Sequence, residues 1–261
     1  MKVRTISAAV LLAIVIPLVY FGGIPFALLI GIIGLLAAKE ITDLYHYPSV
    51  IKIITCICLI TIIYSNFDSS TIMFGLNYQV LSTILLGLFI PVIFYQVKGK
   101  YTTEDAFKLV GFILLIGMGL SYFILIREYS IKYFIFMMLI PILTDTFAFA
   151  GGMMIGKHKV TKISPNKSWE GYTVGTVMGT FIMTVYYTTF INVQTNLIMI
   201  IGIILMLSII GQLGDLFFSA IKRQHDIKDF SRLIPGHGGI MDRLDSLIFV
   251  ALIFMIIIDY L

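Results

Sequence analysis

Four aspartates are the strongest candidates for functional residues in this sequence. Asp145 and Asp215 each lie within an apolar run, and Asp242 and Asp245 stand three residues apart at the start of another. A carboxylate within an apolar segment is costly unless it serves a site or meets a partner. Carboxylates without cysteine or histidine at metal-ligand spacing favour magnesium over zinc. The sequence therefore predicts a Mg²⁺ site with Asp215 and Asp242 as principal ligands and Asp245 as a further ligand or as an acid beside the ligands, and it leaves open a second, monovalent cation.

Phosphate-binding side chains lie between and beside these aspartates. Segment 219–245 contains a basic stretch and a glycine-rich run, and segment 156–172 contains a compact polar string. Hydroxyl, ammonium and guanidinium groups are suited to phosphate oxygens. The candidate substrate-binding residues are Asp145, Ser164, Lys167, Ser168, Ser219, Arg223, Lys228, His237, Gly238, Gly239 and Arg243, and Lys222 joins Asp215, Asp242 and Asp245 as a candidate catalytic residue. The alternatives are a solvated loop between two helices and, for His237, a purely structural turn.

The apolar run around Asp215 has a helical pattern that would gather its polar groups. Ser208, Gln212, Asp215, Ser219 and Lys222 follow one another at spacings of 4, 3, 4 and 3 residues. These spacings place all five on one face of an α-helix. The remaining sides of the helix are mainly isoleucine, leucine and phenylalanine. We therefore expect a membrane helix with one polar face that leads to a basic end.

The elements that must position these residues are membrane helices. Of the 261 residues, 59% are hydrophobic and only 12% are charged, and the mean hydropathy is +1.01. Soluble domains carry about 25% charged residues. Apolar runs near the bilayer-spanning length predict an all-α polytopic membrane protein with about nine transmembrane helices, near 4–21, 24–38, 53–65, 79–97, 109–126, 133–155, 173–192, 197–220 and 244–261.

The distribution of basic residues predicts the orientation of the chain. With nine crossings, all but two of the 18 lysines and arginines fall on the same side as the N-terminus, the exceptions being Arg127 and Lys132. Basic residues in short loops favour the cytoplasm. The N-terminus and the loops 156–172 and 221–243 are therefore predicted to be cytoplasmic.

Residues 1–130 show no clear chemistry and are interpreted as a scaffold, whereas 131–261 form the predicted catalytic region. The acidic residues of the first part are interpreted as solvated charges in two short loops: Glu40, Asp43, Glu104 and Asp105. Cys56 and Cys58 are two residues apart on a helix, so they predict neither a disulfide nor a zinc site. Ala148, Gly151, Gly152 and Gly156 leave little bulk after Asp145, which permits either close helix packing or a nearby ligand.

Segment 219–245 resembles the signature of the phosphatidate cytidylyltransferase (CDP-diacylglycerol synthase) family, S-x-x-K-R-x4-K-D-x4-[LIM]-P-G-H-G-G-x-x-D-R-x-D. The runs Gly214-Asp215-Leu216 and 164–171 (SPNKSWEG) resemble further family motifs, and the strong likeness covers about 141–250. Two positions depart from many relatives: Phe218 stands where they carry an acid, and Asn166 where they carry a lysine. Neither departure affects a proposed metal ligand.

The resemblance implies a homodimeric, multi-pass enzyme of the bacterial inner membrane with its active site on the cytoplasmic side. Such an enzyme makes CDP-diacylglycerol and pyrophosphate from CTP and phosphatidate with Mg²⁺, in phospholipid biosynthesis, without a nucleic-acid partner. The first 130 residues would then supply dimer contacts. Lys167, Lys222 and Arg223 are expected near the phosphatidate headgroup, and His237 with its glycines near CTP. Related CTP-dependent lipid enzymes, such as a CDP-archaeol synthase or a polyprenol kinase, remain alternatives, and a transporter is a more distant one.

Overall fold

The computed structural model describes residues 2–65, 78–161, 163–192, 194, 196–236 and 238–261. Of the candidate site residues, His237 lies outside these described ranges. Within the ranges the chain forms nine α-helices and no strand: α1 (Lys2–Phe21), α2 (Gly23–Leu44), α3 (Ser49–Ile63), α4 (Tyr78–Tyr95), α5 (Thr103–Tyr129), α6 (Ile131–Ile155), α7 (Trp169–Phe190), α8 (Leu197–Gln224) and α9 (Met241–Ile257). Each overlaps one of the nine predicted helices.

The helices confirm an all-α polytopic membrane protein. Five of them, α2, α4, α5, α6 and α8, are long and apolar enough to cross a bilayer by length and composition. Helix α3 and the stretch Thr5–Phe21 of α1 are shorter apolar helices. That all nine helices cross the membrane, and that the N-terminus is cytoplasmic, stay predictions.

The chain divides into two compact units. The first contains Met1–Glu128 and Asp229–Asp242, and the second contains Tyr129–Lys228 and Arg243–Leu261. The roles assigned to 1–130 and 131–261 as scaffold and catalytic region stay predictions.

In the first unit, the end of α5 holds the turn between α1 and α2. Arg127 donates from Nε to the carbonyl of Val19 and from Nη2 to that of Tyr20, the latter over 2.7 Å. Glu128 Oε1 accepts a hydrogen bond of 2.9 Å from the amide of Gly23. A side chain at Gly22, whose φ is +66°, would lie 2.6 Å from the Arg127 guanidinium, so the turn depends on that glycine.

The first unit's acids lie in helices, so their interpretation as loop charges was wrong, although Glu104 is exposed as predicted. Glu40 and Asp43 lie within α2, and Glu104 and Asp105 lie in the first turn of α5. Asp105 accepts hydrogen bonds from the amide and hydroxyl of Thr102 at the start of its own helix. Glu40 is buried, with only 5% of its surface exposed. The residue type alone does not distinguish a solvated acid from a helix-capping or a buried one, because only the folded structure shows which groups donate to the carboxylate.

In the second unit, α6 and α7 pack closely through glycines. A side chain at Gly175 would lie 2.5 Å from the carbonyl oxygen of Thr144, and one at Gly171 would lie 2.6 Å from that of Ala148. A side chain at Gly151 would meet Val174 at 2.7 Å. For Gly151 the packing interpretation is thus confirmed, since small residues let the two backbones approach.

We expect Gly175→Ala to lower the free energy of unfolding of the second unit by about 1–3 kcal/mol, because the methyl group would press on the backbone of α6. The measurement is thermal unfolding of the purified protein in detergent. Gly202→Ala is the matched control, because a side chain at Gly202 of α8 would meet nothing within 4 Å. The control should be neutral or slightly stabilising. Equal unfolding temperatures for the two variants would contradict the packing argument.

Candidate functional site

Helix α8 turns its polar face inward and its apolar face outward. Ser208, Gln212 and Lys222 are buried, whereas Leu213 and Phe217 are about half exposed. This is the reverse of a soluble helix and is expected where the outer surface meets lipid. The shared face predicted from the spacing is confirmed.

Hydrogen bonds fix this polar face to the two neighbouring helices. Thr144 of α6 donates from Oγ1 to Ser208 Oγ over 3.1 Å. Gln212 donates from Nε2 to the carbonyl of Tyr172 over 3.3 Å and to Thr176 Oγ1 over 3.1 Å, both on α7. Helix α8 is therefore held in one rotation about its axis, which sets where Asp215 points.

Asp215 is the centre of a charged cluster in the second unit. Its Oδ2 forms an ion pair with the ammonium of Lys167, and its Oδ1 accepts a 3.3 Å hydrogen bond from Ser219. The Lys167 Nζ also lies 5.4 Å from the centroid of the Tyr172 ring. Two anchors on one ammonium hold Lys167 beside Asp215.

Burial and the neighbouring charges both act on the pKa of Lys167. Burial lowers the pKa of Lys167, and the nearby carboxylates of Asp145 and Asp245 act in the opposite direction. The charge of Lys222 again lowers this pKa. Opposite charges within a few ångströms favour the charged form of each group. The cluster thus brings together carboxylates from α6, α8 and α9 with two ammonium groups.

A cavity of about 570 Å³ opens beside this cluster. Its lining includes five of the predicted site residues: Asp145, Ser164, Lys167, Ser168 and Asp215. Asp145 is exposed to the cavity and hydrogen-bonds with Ser246. On the same face of α6, one and two turns beyond Asp145, Phe149 and Met153 also line the cavity and are each 69% exposed. The cavity therefore combines a charged end with an apolar wall.

The loop before α7 is closed by backbone contacts that hold Lys167 in place. The amide of Val160 donates to the carbonyl of Lys167 over 3.0 Å. Ser168 Oγ accepts from the amide of Gly171 over 3.1 Å and so caps α7. The Ser168 hydroxyl keeps its own proton to donate, so a phosphate contact remains compatible with capping.

Glu170 fastens the other side of the same loop. Its carboxylate accepts hydrogen bonds from the amides of Lys157 and His158, over 3.1 Å and 3.2 Å. His158 Nδ1 lies 2.6 Å from Glu170 Oε1. The hydrogen bond with His158 lowers the pKa of Glu170 to about 2, so this carboxylate stays ionised at neutral pH.

In the first unit, Asp242 organises the glycine-rich loop that precedes it. Its Oδ2 accepts hydrogen bonds of 2.9 Å from the amides of Phe230 and Gly239. Gly236 and Gly238 have φ values of +79° and +84°, a conformation that favours glycine. Helix α9 begins at Met241, as the sequence predicted. The predicted metal-binding role of Asp242 is untested, and one of its oxygens holds the loop.

The remaining basic residues of the signature lie nearer the surface. Arg223 is exposed and donates from Nε to the carbonyl of Ile163 over 3.2 Å and from Nη1 to that of Ile227 over 2.7 Å. Lys228 and Arg243 are exposed. Arg223 thus ties loop backbones together, and its predicted contact with a phosphate stays a prediction. The same holds for His237, which lies outside the described residues.

The chain is similar to known proteins along almost its whole length. The family model described as the cytidylyltransferase family matches residues 2–261. The chain belongs to the cytidylyltransferase family. Among the curated relatives of this cytidylyltransferase is the phosphatidate cytidylyltransferase of Staphylococcus aureus (strain COL), 34% identical over 256 residues with 96% of each chain covered. The protein of the same name from Staphylococcus haemolyticus (strain JCSC1435) is 33% identical over 253 residues, again with 96% of each chain covered. The chain is therefore an enzyme of the nucleotidyltransferase class.

The carboxylates of this cytidylyltransferase suit Mg²⁺ as part of a larger coordination shell. Among the described residues, no three histidine, cysteine, aspartate or glutamate side chains are arranged as a complete metal-binding group. Mg²⁺ commonly takes one or two protein carboxylates and completes its shell with water and substrate phosphates. Asp215 and Asp245 of the second unit offer oxygen ligands of the right kind, and Asp215 is paired with Lys167 in this structure.

One functional candidate of the cytidylyltransferase escaped the sequence analysis. The buried Glu40 of α2 accepts hydrogen bonds from the amides of Ile240 and Met241 over 2.8 and 2.9 Å, and from Ser231 Oγ over 2.6 Å. These partners lie 191 to 201 residues further along the chain. No local pattern predicts such a contact. A glutamate near the end of an apolar helix was the only available signal.

Proposed function

We propose that the chain is a phosphatidate cytidylyltransferase, which transfers CMP from CTP to phosphatidate and yields CDP-diacylglycerol and pyrophosphate. The observation that supports this most is the cavity beside Asp215. Its charged end, with Lys167 and Asp145, suits a phosphate headgroup, and the exposed Phe149 and Met153 suit an acyl chain. A lipid substrate needs both surfaces, because its headgroup reacts while its chains stay in the bilayer.

The chemistry requires charge neutralisation more than proton transfer. A phosphate oxygen of phosphatidate attacks the α-phosphorus of CTP, the bond to the bridging oxygen of the β-phosphate breaks, and pyrophosphate leaves. The second pKa of a phosphate monoester is about 6, so the nucleophile is largely ionised at pH 7. Lys167 and Lys222 reduce the repulsion between the two anions, and the hydroxyls of Ser164 and Ser168 orient a phosphate. Bound Mg²⁺ would add Lewis-acid neutralisation of the reacting phosphates.

The direct test supplies the purified, detergent-solubilised protein with radiolabelled CTP and one lipid acceptor at a time. We expect label in the lipid fraction with phosphatidate, and none with an archaetidic-type lipid or a polyprenol. Transfer to one of these other lipids and not to phosphatidate would assign the enzyme to a related CTP-dependent reaction. Absence of transfer to every acceptor in the presence of Mg²⁺ would contradict the proposed function.

We place the site on the cytoplasmic side of a bacterial inner membrane and expect a homodimer. Single cysteines at Gln224 and at Lys132, on a background lacking Cys56 and Cys58, test this orientation. Gln224 lies at the end of α8 and Lys132 at the start of α6, and both are exposed. Impermeant maleimide should label the Gln224 cysteine only in inverted vesicles and the Lys132 cysteine only in intact cells. The opposite result would overturn the predicted topology.

A further inference from the structure

Two carboxylates of the first unit accept hydrogen bonds from three successive backbone amides at the start of α9. Asp242 accepts one from the amide of Gly239, and Glu40 accepts one each from the amides of Ile240 and Met241. Ser231 adds a hydroxyl to Glu40 Oε1. The chain therefore enters α9 with its direction set by Glu40 on one side and by Asp242 on the other.

The chemistry of Glu40 is that of a group that holds a backbone. The residue is 5% exposed, and its carboxylate receives one hydroxyl and two amide protons. Amides at the start of a helix carry a partial positive charge, which stabilises an acid placed there. Hydrogen bonds to an ionised acceptor are about twice as strong as those between neutral groups.

The Glu40 carboxylate packs so closely against the loop that only glycine is accommodated at position 239. A side chain at Gly239 would lie 2.5 Å from Glu40 Oε1 and 2.7 Å from Oε2. The glycine thus lets the backbone approach the carboxylate closely. Because the amide of this same glycine donates to Asp242 Oδ2, a shift of Glu40 is passed to Asp242 through one residue.

We propose that Glu40 is a positioning residue for nucleotidyl transfer, which from α2 holds Ser231 and the amides of Ile240 and Met241 so that the Asp242 carboxylate keeps its working orientation. The predicted effect on catalysis rests on the proposed function and on the predicted role of Asp242. The contact between Glu40 and the loop is independent of both.

The test is Glu40→Gln, which keeps the side-chain size but exchanges one acceptor oxygen for a donor. Hydrogen exchange of the peptide covering 230–241 should become at least about tenfold faster. The kcat should fall by about 10- to 150-fold, the range for one lost charged hydrogen bond, while the KM values for phosphatidate and CTP stay within about twofold. The Mg²⁺ concentration for half-maximal activity should rise.

Asp43→Asn is the matched control. Asp43 lies about one turn from Glu40 on the same helix and pairs with Lys52. The Asp43→Asn variant should leave hydrogen exchange of the loop, kcat and the KM values unchanged. Ser231→Ala, which removes one donor to Glu40, should shift exchange and kcat in the same direction by a smaller factor, and it serves if Glu40→Gln is not recovered as folded protein.

Unchanged loop exchange in both Glu40→Gln and Ser231→Ala would overturn the proposal, and so would faster exchange with an unaltered kcat. A fall in kcat without faster loop exchange would also count against it. If the wild-type protein transfers CMP to no lipid, the proposed function fails, and the exchange measurement alone then decides whether Glu40 holds the loop.

Discussion

Replacement of Asp215 by asparagine should reduce turnover by about 1,000-fold or more. Asparagine retains the shape of aspartate and keeps one acceptor oxygen, so the fold around α8 should be preserved. It loses the charge that pairs with Lys167 and the proposed ligand for Mg²⁺. Each 1.36 kcal/mol on a barrier is tenfold in rate, so a 1,000-fold loss corresponds to about 4 kcal/mol of transition-state stabilisation, the upper end of the cost of removing one preorganised electrostatic group. Asp242→Asn is expected to be similarly inactive.

The measurement is CMP transfer from radiolabelled CTP to phosphatidate at saturating Mg²⁺, with expression and membrane insertion checked by gel filtration in detergent. Asp226→Asn is the control for the same chemical change, just beyond the end of α8. Asp226 is exposed and has a φ of +53°, which asparagine also tolerates. Near-normal activity in both Asp215→Asn and Asp242→Asn would remove them from the proposed metal site.

Lys167→Met should lower kcat/KM for phosphatidate by about 10- to 150-fold, because one charge-assisted phosphate contact is worth about 1.5–3 kcal/mol. Methionine fills a similar length without the ammonium. The Asp215 carboxylate would then lack its ion-pair partner in a partly buried site. We expect the KM for phosphatidate to rise more than that for CTP, because the cavity places Lys167 between charged groups and an apolar wall.

Steady-state kinetics in mixed micelles, with each substrate varied in turn, measure this difference. Lys159→Met is the matched control, since Lys159 is exposed in the same loop. Activity of Lys167→Met within twofold of the wild type would show that the ammonium does not contact a substrate. Equal rises in both KM values would retain the site but contradict its assignment to the lipid.

Local periodicity explains why the helices and the polar face of α8 could be predicted. Apolar runs of membrane length identify a helix without knowledge of its neighbours. The spacing from Ser208 to Lys222 likewise needs only 3.6 residues per turn, and its buried face follows from the same geometry. A helix start near Asp242 was predictable for the same reason, since the polar loop gives way there to an apolar run.

Contacts between distant segments could not be predicted in this way. Glu40 and Arg127 look like ordinary charges near helix ends, and only the folded chain brings them to backbone groups 100 to 200 residues away. Ser168 and Arg223 were predicted to bind phosphate from their residue types alone. The structure adds backbone partners for both, because a hydroxyl or a guanidinium serves a helix cap or a carbonyl as readily as a phosphate.

The distance in sequence between Glu40 and its donors bears on how the protein is made. Met241 follows Glu40 by 201 residues, so a ribosome adding about 5–20 residues per second needs about 10–40 s between them. Throughout this interval the nascent chain holds a carboxylate whose eventual amide partners have not been synthesised. The first unit, although built mainly from the N-terminal half, can be completed only after residue 242 has been synthesised. A chain released before residue 229 would therefore leave Glu40 without the amides of Ile240 and Met241.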